Sequence, residues 1–287
     1  MNNIISVLIS TFSMSVPLIL AAAGGVLSVK VGVMALGLES MMTMGAFCAV
    51  LGSYYSHNII IALLCGMAGG ALFALGHAIL SVRYKVNQVI SGIGLNLMAV
   101  AASTLLMQQI WNNKGSSPQV SAIKAGVLGS PITYMMILAV LTEAWFLYRS
   151  KLGLRFRFVG ENPKAAASLG LPVHRIKYIG VILSGILAGL GGAYLSIDHL
   201  SMYVRDMSAG RGYIAVAIMI LANYNPFKVF LCALIFGFAD ALQINFQGKG
   251  IPSQFLAMLP YIVTLLVLAL GMRHITPPAG VGKHDDE

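Results

Sequence analysis

Five stretches of this chain carry no acidic or basic residue over a length that can cross a lipid bilayer. A transmembrane helix needs about 20 predominantly apolar residues. Only 9% of the residues are charged, against about a quarter in soluble domains. The sequence therefore predicts an all-α integral membrane protein, built as a polytopic helical bundle. The uncharged stretches are residues 4–29, 40–82, 86–113, 178–197 and 250–272.

Apolar segments and the polar turns between them predict about nine transmembrane helices, with a range of eight to ten. The stretch 40–82 is long enough to cross twice, with a polar turn at residues 53–58. The segment 210–224 is the shortest, and a re-entrant segment is the alternative for it. The predicted helices are 4–28, 33–53, 59–82, 88–110, 131–148, 177–197, 210–224, 228–246 and 253–272.

The uneven distribution of basic residues predicts the orientation. The net charge of +9 would indicate nucleic-acid binding in a soluble protein, but Lys and Arg in the short loops of a membrane protein mark the cytoplasmic side. The loop 149–177 holds seven of the 18 basic residues and one acid, so we expect it in the cytoplasm. Counting spans from this loop predicts an N-terminus outside and a cytoplasmic C-terminus. A re-entrant 210–224 would move the C-terminus to the other side.

The domain organisation predicted from these patterns is simple. We expect one transmembrane domain, residues 1–275, followed by a short hydrophilic tail, residues 276–287. A cleaved signal peptide is the alternative for residues 1–23. Against it, the first three residues contain no Lys or Arg, and the apolar run that follows is too long for a signal-peptide core.

One short helix is fully delimited by its sequence, GENPKAAASLGLPVHR, residues 160–175. Asn162 is a favoured N-cap and Pro163 suits the first helical position. Gly170 suits the left-handed position after the helix, and Pro172 prevents its continuation. A helix this short is marginal in water. We therefore expect it to dock, either on its own domain as an ordinary loop helix or in the groove of a partner.

The same segment resembles a known motif. Gly160, Asn162, Ala165, Ala166 and Gly170 match the pattern G-x-N-x-x-A-A-x-x-x-G-I. This pattern is typical of the cytoplasmic loop of bacterial ABC importer permeases in the branched-chain amino acid, ribose and nucleoside superfamily.

Further segments resemble the nucleoside and simple-sugar branch of that superfamily, in the same order along the chain. ADALQINFQ and LPYIVTLLVLAL are similar to its closing helices. Ser40 and Gln88 depart from the branch, which often has Gly and Glu there. The other similar segments are VMALGLESMMTMGAF (33–47), VNQVISGIGLNLMA (86–99) and AGRGYIAVAIMILANYNP (209–226).

The resemblance implies a permease subunit in a bacterial inner membrane, moving a nucleoside or simple sugar by alternating access. It further implies an ATPase with tandem nucleotide sites that binds ATP and Mg, a second permease subunit in a heterodimer or homodimer, and an extracytoplasmic substrate-binding lipoprotein. No cofactor is expected on this chain. The implied ATPase-coupling helix comprises Gly160, Asn162, Pro163, Lys164, Ala165, Ala166, Ala167, Ser168, Leu169 and Gly170.

Five polar residues inside the predicted helices are candidates for the substrate pathway: Glu39, Asn96, Asp240, Gln243 and Asn245. A charge near the bilayer centre costs roughly 2.5–3.5 kcal/mol, so such groups usually face a cavity or a partner. For Glu39 the alternative is an acid that accepts from free backbone N–H groups at a helix end. For Asn96 and Asn245 the alternative is a hydrogen bond between helices.

No enzyme signature is present in the sequence. It contains no GxxxxGK[ST] phosphate-binding loop, no HExxH metal motif and no GxSxG nucleophile elbow. We therefore expect no catalytic residue and no metal site, with ATP hydrolysis on a separate subunit. A self-contained secondary transporter or channel is the alternative function, although it has no ATPase for the capped helix to contact.

Overall fold

We describe a computed structural model, which covers residues 2–121, 130–246 and 276–283, together with isolated positions between 255 and 269. The predicted helix 253–272 lies outside these ranges, apart from the isolated positions. The helices are α1 (Asn2–Lys30), α2 (Leu38–Ser56), α3 (Ile59–Ala78), α4 (Gln88–Trp111), α5 (Pro131–Arg149), α6 (Lys151–Glu161), α7 (Pro163–Ser168), α8 (Val173–Ala193), α9 (Arg211–Leu221) and α10 (Pro226–Phe246). Short π-helical segments extend α3 to Arg83 and α8 to His199.

Six helices in the described part of the chain are long and apolar enough to cross a membrane. The predicted all-helical membrane class is therefore confirmed. The helix α9 is apolar but has only 11 residues, about 16 Å of helix against a hydrocarbon core of about 30 Å. The six candidate spans are Ile5–Lys30, Ile59–Arg83, Gln88–Trp111, Pro131–Arg149, Val173–His199 and Pro226–Phe246.

The centre of the bundle is formed by α2, α3 and α8, whose backbones touch at glycine residues. A Cβ atom added to Gly45 on α2 would collide with the backbone of Gly189 on α8. A Cβ atom on Gly70 of α3 would collide with the carbonyl of Gly185 on α8. Small residues at such crossings let membrane helices pack closely. Around this centre, α1 packs on α8, while α4 and α9 pack on α2.

Two helices begin four or five residues from their predicted starts, and one helix was not predicted. The helix α2 begins at Leu38 rather than residue 33, because side chains from other helices hold residues 34–37 in a non-helical path. The helix α8 begins at Val173 rather than residue 177. The helix α6 lies in the stretch predicted to be a charged loop, but its apolar face, which includes Phe156 and Val159, is buried.

Candidate transport and coupling sites

The backbone between α1 and α2 is irregular and is held by side chains from α3 and α4. Gln88 Oε1 accepts from the Met34 N–H at 2.7 Å, and His77 Nε2 donates to the Met34 carbonyl at 3.0 Å. Asn96 Nδ2 donates to the Leu36 carbonyl at 3.1 Å. Non-helical backbone is tolerated at membrane depth only where protein or water satisfies its polar groups. These side chains therefore allow the chain to break a helix inside the bundle.

Glu39 joins the start of α2 to the start of α9. Its side chain lies in the first turn of α2 and is 5% exposed. Oε1 accepts from Ser208 Oγ at 2.6 Å and from the Gly210 N–H at 2.9 Å, while Oε2 accepts from the Gly212 N–H at 2.6 Å. A carboxylate at a helix N-terminus satisfies free N–H groups and interacts favourably with the helix dipole. The geometry favours the alternative for Glu39 of an acid at a helix end, with the first turn of α9 and the residues just before it supplying the donors.

A cleft of about 700 Å³ opens beside Glu39, between α4 and the start of α9. Asn96 lines the cleft, and its Oδ1 accepts from the Ser40 N–H at 2.9 Å while its Nδ2 donates to the Tyr213 hydroxyl oxygen at 2.8 Å. The Tyr213 hydroxyl still has its own proton to donate. The cleft thus combines an apolar wall from α4 with polar groups from two elements. The other lining residues are Leu97, Val100, Ala101, Thr104, Leu105, Arg205, Asp206 and Gly210.

The three remaining pathway candidates lie on α10 and do not line this cleft. Asp240 Oδ2 is 3.9 Å from Arg211 Nε, at the first residue of α9. Asn245 Nδ2 donates to the Ala241 carbonyl at 2.8 Å, within its own helix. Gln243 is half-buried. The structure therefore brings Glu39 and Asn96 together and separates them from the α10 group.

Residues 160–170, which we call the coupling segment, contain α7 with a cap at each end. Asn162 Oδ1 accepts from the Ala165 N–H at 3.0 Å. At the other end the Gly170 N–H donates to the Ala167 carbonyl at 2.9 Å and the Leu171 N–H to the Ala166 carbonyl at 3.1 Å. Gly170 has φ +76°, as a Schellman motif requires. The helix and the two caps predicted from this sequence are therefore present.

Burial divides the coupling segment into an inner and an outer face. Ala166 is fully buried, so it packs on this chain and is not available to a partner. Lys164, Ala167 and Ser168 are exposed, and Leu169 is 72% exposed. An adjoining groove of about 530 Å³ is lined by Pro163, Lys164, Ala167, Leu171, Pro172, Val173, His174 and Arg175.

The tail packs against the coupling segment. The Gly280 N–H donates to the Gly160 carbonyl at 2.9 Å, and the Ala279 N–H donates to Glu161 Oε2 at 3.1 Å. Gly160 in turn touches the end of α1, since a Cβ atom there would collide with the Lys30 carbonyl. The coupling segment, the end of α1 and the tail therefore meet at one end of the bundle.

The fold is a helical bundle with a non-helical stretch between α1 and α2 and a capped helix at one end, and comparison with known proteins gives its class and family. Residues 7–268 match the family described as branched-chain amino acid transport system / permease component, and the chain belongs to this family. It is a multi-pass permease component of an ABC importer in the inner membrane, and the ATPase is a separate subunit. The alternative of a self-contained transporter or channel is set aside.

The chain is similar to nucleoside permeases over most of its length. It is 34% identical to the guanosine ABC transporter permease protein NupQ of Bacillus subtilis, over 93% of this chain and 92% of NupQ. It is 36% identical to the nucleoside ABC transporter permease protein NupC of Lactococcus lactis, with the same coverage of each. It is also 24% identical to NupP, a second guanosine permease of B. subtilis, over 88% of this chain and 78% of NupP.

A solved structure shares the fold. It is described as an inward-facing conformation of a metal-chelate type ABC transporter. It is 16% identical to this chain, with a TM-score of 0.53, and the match covers 93% of this chain and 87% of the other.

The residues that complete these sites were not predicted from the sequence. Ser208, Gly210 and Gly212 hold the Glu39 carboxylate, and Tyr213 shares the cleft with Asn96. The sequence did contain a signal for them. Three lie inside the segment 209–226, which resembles the nucleoside and simple-sugar branch, and Ser208 directly precedes it. The contact of Gly280 with the coupling segment had no local signal, because nothing in the tail sequence indicates where it packs.

Proposed function

We propose that this permease carries a nucleoside. The observation that supports this substrate most strongly is the alignment with NupQ and NupC over more than nine-tenths of the chain. The cleft beside Glu39 offers suitable contacts, because the Tyr213 ring and the apolar wall of α4 can pack on a base while Asn96 Oδ1 and Thr104 Oγ1 can accept from ribose hydroxyls. Its volume of about 700 Å³ is within the range of roughly 300–1,000 Å³ usual for small-molecule sites.

Uptake by the complete importer tests this substrate. Membrane vesicles that contain all subunits should accumulate labelled guanosine when ATP is supplied on the ATPase side. Unlabelled nucleosides should compete with it, and ribose and glucose should not. Uptake of a labelled sugar without uptake of any nucleoside would instead support the simple-sugar reading of the family.

Coupling to the ATPase is proposed for the outer face of the coupling segment. The two caps hold α7 in one conformation before any partner binds, which lowers the entropy lost on docking. Leu169 offers an exposed apolar contact, and the basic residues around α7 favour an acidic surface. The partner is an ATPase with tandem nucleotide sites, which binds ATP and Mg. Docking transmits its closure to the helices that line the pathway.

Co-purification of the ATPase tests the docking. Leu169→Asp should reduce the amount of ATPase that remains bound to the tagged permease. Leu152→Asp is a matched control, because Leu152 is 55% exposed on α6 and lies outside the coupling segment. Equal retention of the ATPase by both variants would contradict the docking surface. A charge at the buried Ala166 would disturb the fold itself and is not an informative substitute.

We infer nine membrane passes within one permease domain, residues 1–275, with the N-terminus outside and the tail, 276–287, in the cytoplasm. The meeting of the end of α1, Gly160 and Gly280 at one end of the bundle supports this orientation. Nine passes require that residues 200–221 together form one pass. In this pass the chain enters the membrane as a loop and leaves it as α9. Green fluorescent protein fused to the C-terminus should fluoresce, since it does so only in the cytoplasm. A full-length fusion that does not fluoresce would favour the alternative in which residues 210–224 are re-entrant.

A second permease subunit and an extracytoplasmic binding lipoprotein complete the proposed importer. The chain resembles two guanosine ABC transporter permease proteins of Bacillus subtilis, and it is 34% identical to NupQ but 24% identical to NupP. That difference supports a heterodimer in which this chain takes the NupQ position. Two differently tagged copies of this chain should therefore not purify together; if they do, the permease is a homodimer.

A further inference from the structure

Glu143 is a buried acid on α5 that neither the cleft nor the coupling segment uses. It is 4% exposed, and within the described residues neither of its carboxyl oxygens has a hydrogen-bond partner. An ionised carboxylate buried in this way is costly, so the surroundings favour the neutral acid, which carries an O–H donor. Leaving a buried donor unpaired is itself unfavourable. A ligand with a carbonyl oxygen would satisfy it.

The acid lines an apolar pocket at the surface of the bundle. The pocket has a volume of about 270 Å³ and lies between α1, α5 and α8. Thr142, which also lines it, is exposed, so the pocket opens outward. Because α5 and α8 are candidate spans, the medium outside is the hydrocarbon of the bilayer. The remaining lining, which suits an acyl chain, is Leu27, Ala139, Phe146, Leu183, Ile186 and Leu187.

An arginine of α6, Arg157, follows a residue that packs on the pocket lining. The pocket residue Phe146 packs edge to face on Phe156 of α6, with the ring centroids 5.1 Å apart. The next residue, Arg157, holds its guanidinium carbon 5.4 Å from the ring centroid of Tyr148. Its Nε atom is buried and has no hydrogen-bond partner within the described residues. An anionic group would therefore find both charge and a free donor here.

We propose that this pocket binds an anionic glycerophospholipid. The phosphate pairs with Arg157, an ester carbonyl accepts from the Glu143 hydroxyl, and an acyl chain occupies the apolar pocket. Glu143 lies six residues before Arg149, the last residue of α5, which is about 9 Å along the helix. The donor thus lies just below the headgroup layer, where ester carbonyls are found.

Local charge supports an anionic headgroup. The end of α5 and the start of α6 carry Arg149, Lys151, Arg155 and Arg157, with no acid among residues 144–160. Basic clusters at the membrane surface attract anionic lipids. Since α6 leads directly into the coupling segment, the bound lipid would hold the helix on which that segment is mounted. The proposal rests on neither the substrate nor the number of passes.

The test compares two lipids that differ only at the carbonyl. The full-length permease, purified in detergent without phospholipid, is titrated with phosphatidylglycerol carrying ester-linked chains and with its ether-linked analogue, and thermal unfolding reports the binding. The ester lipid should bind roughly three- to tenfold more tightly, as one hydrogen bond predicts. Glu143→Leu should abolish this preference. Glu143→Gln, which still donates, should keep part of it.

Charge variants identify the headgroup contact. Arg157→Gln should weaken binding of both lipids several-fold, while Arg155→Gln, on the same helix, should change it little. Equal affinity of the wild type for the two lipids, equal losses in the two arginine variants, or the same stabilisation by inorganic phosphate alone would overturn the proposal. If Glu143→Leu does not fold, the wild-type comparison and Glu143→Gln decide the question.

Discussion

Replacement of Glu39 by Gln should loosen the junction between α2 and α9. The carboxylate accepts from Ser208, Gly210 and Gly212 at distances of 2.6–2.9 Å. The amide keeps one oxygen but turns an NH₂ group toward the remaining donor. The variant therefore loses at least one hydrogen bond to a charged acceptor, and it loses the negative charge at the N-terminus of α9.

The two losses can be added from typical values. A hydrogen bond to a charged group contributes about 1.5–3 kcal/mol. A charge at a partly buried helix terminus contributes up to about 2 kcal/mol. A loss of about 3 kcal/mol of unfolding free energy follows, which corresponds to a decrease of roughly 6–12 °C in unfolding temperature at about 2–4 °C per kcal/mol.

Thermal unfolding of the purified permease measures this decrease, with substrate uptake as a second readout. Glu161→Gln is the matched control, because Glu161 is exposed and accepts one backbone N–H, from Ala279 at 3.1 Å. We expect the control to unfold close to the wild type. An unchanged unfolding temperature for Glu39→Gln, together with an altered substrate preference, would refute the structural role and identify Glu39 as a substrate contact.

Three further predictions follow from local geometry. Asn162→Ala removes the acceptor for the Ala165 N–H, which costs about 1 kcal/mol, and an added protease should cut the coupling segment faster than in Asn162→Ser. Gly189→Val should prevent folding, because a Cβ atom there would lie 2.5 Å from the Gly66 carbonyl oxygen. The control Gly94→Ala should fold normally, because a Cβ atom at Gly94 has no atom within 4 Å. The size-exclusion profile of each purified variant measures its folding. Gly280→Val would place its Cβ 2.7 Å from the Gly160 carbonyl oxygen and should expose the tail to carboxypeptidase.

The long helices could be predicted because the bilayer imposes one length and one composition on all of them. The start of α2 could not, because it depends on distant partners. Residues 33–37 read as apolar helix, yet His77, Gln88 and Asn96 bond to the backbone there and hold it open. A local pattern cannot reveal which backbone groups a remote side chain will satisfy.

The coupling segment was predictable to the residue because its caps are local. Asn162 and Gly170 act within a few positions of themselves. Burial of Ala166 was not predictable, because it depends on how α7 sits against the rest of the chain. Glu39 was identified as unusual from its cost in the membrane, but its role depended on Gly210 and Gly212, far along the sequence.

The contact between Gly280 and Gly160 also sets an order on biosynthesis. Gly160 leaves the ribosome well before Gly280, so the coupling segment is made while one of its neighbours does not yet exist. The Gly160 carbonyl accepts its hydrogen bond from the Gly280 N–H only when the tail has been translated and packed. The surface beside α7 therefore reaches its finished shape only after Gly280 has been translated, and a chain terminated before Gly280 would present a different surface there.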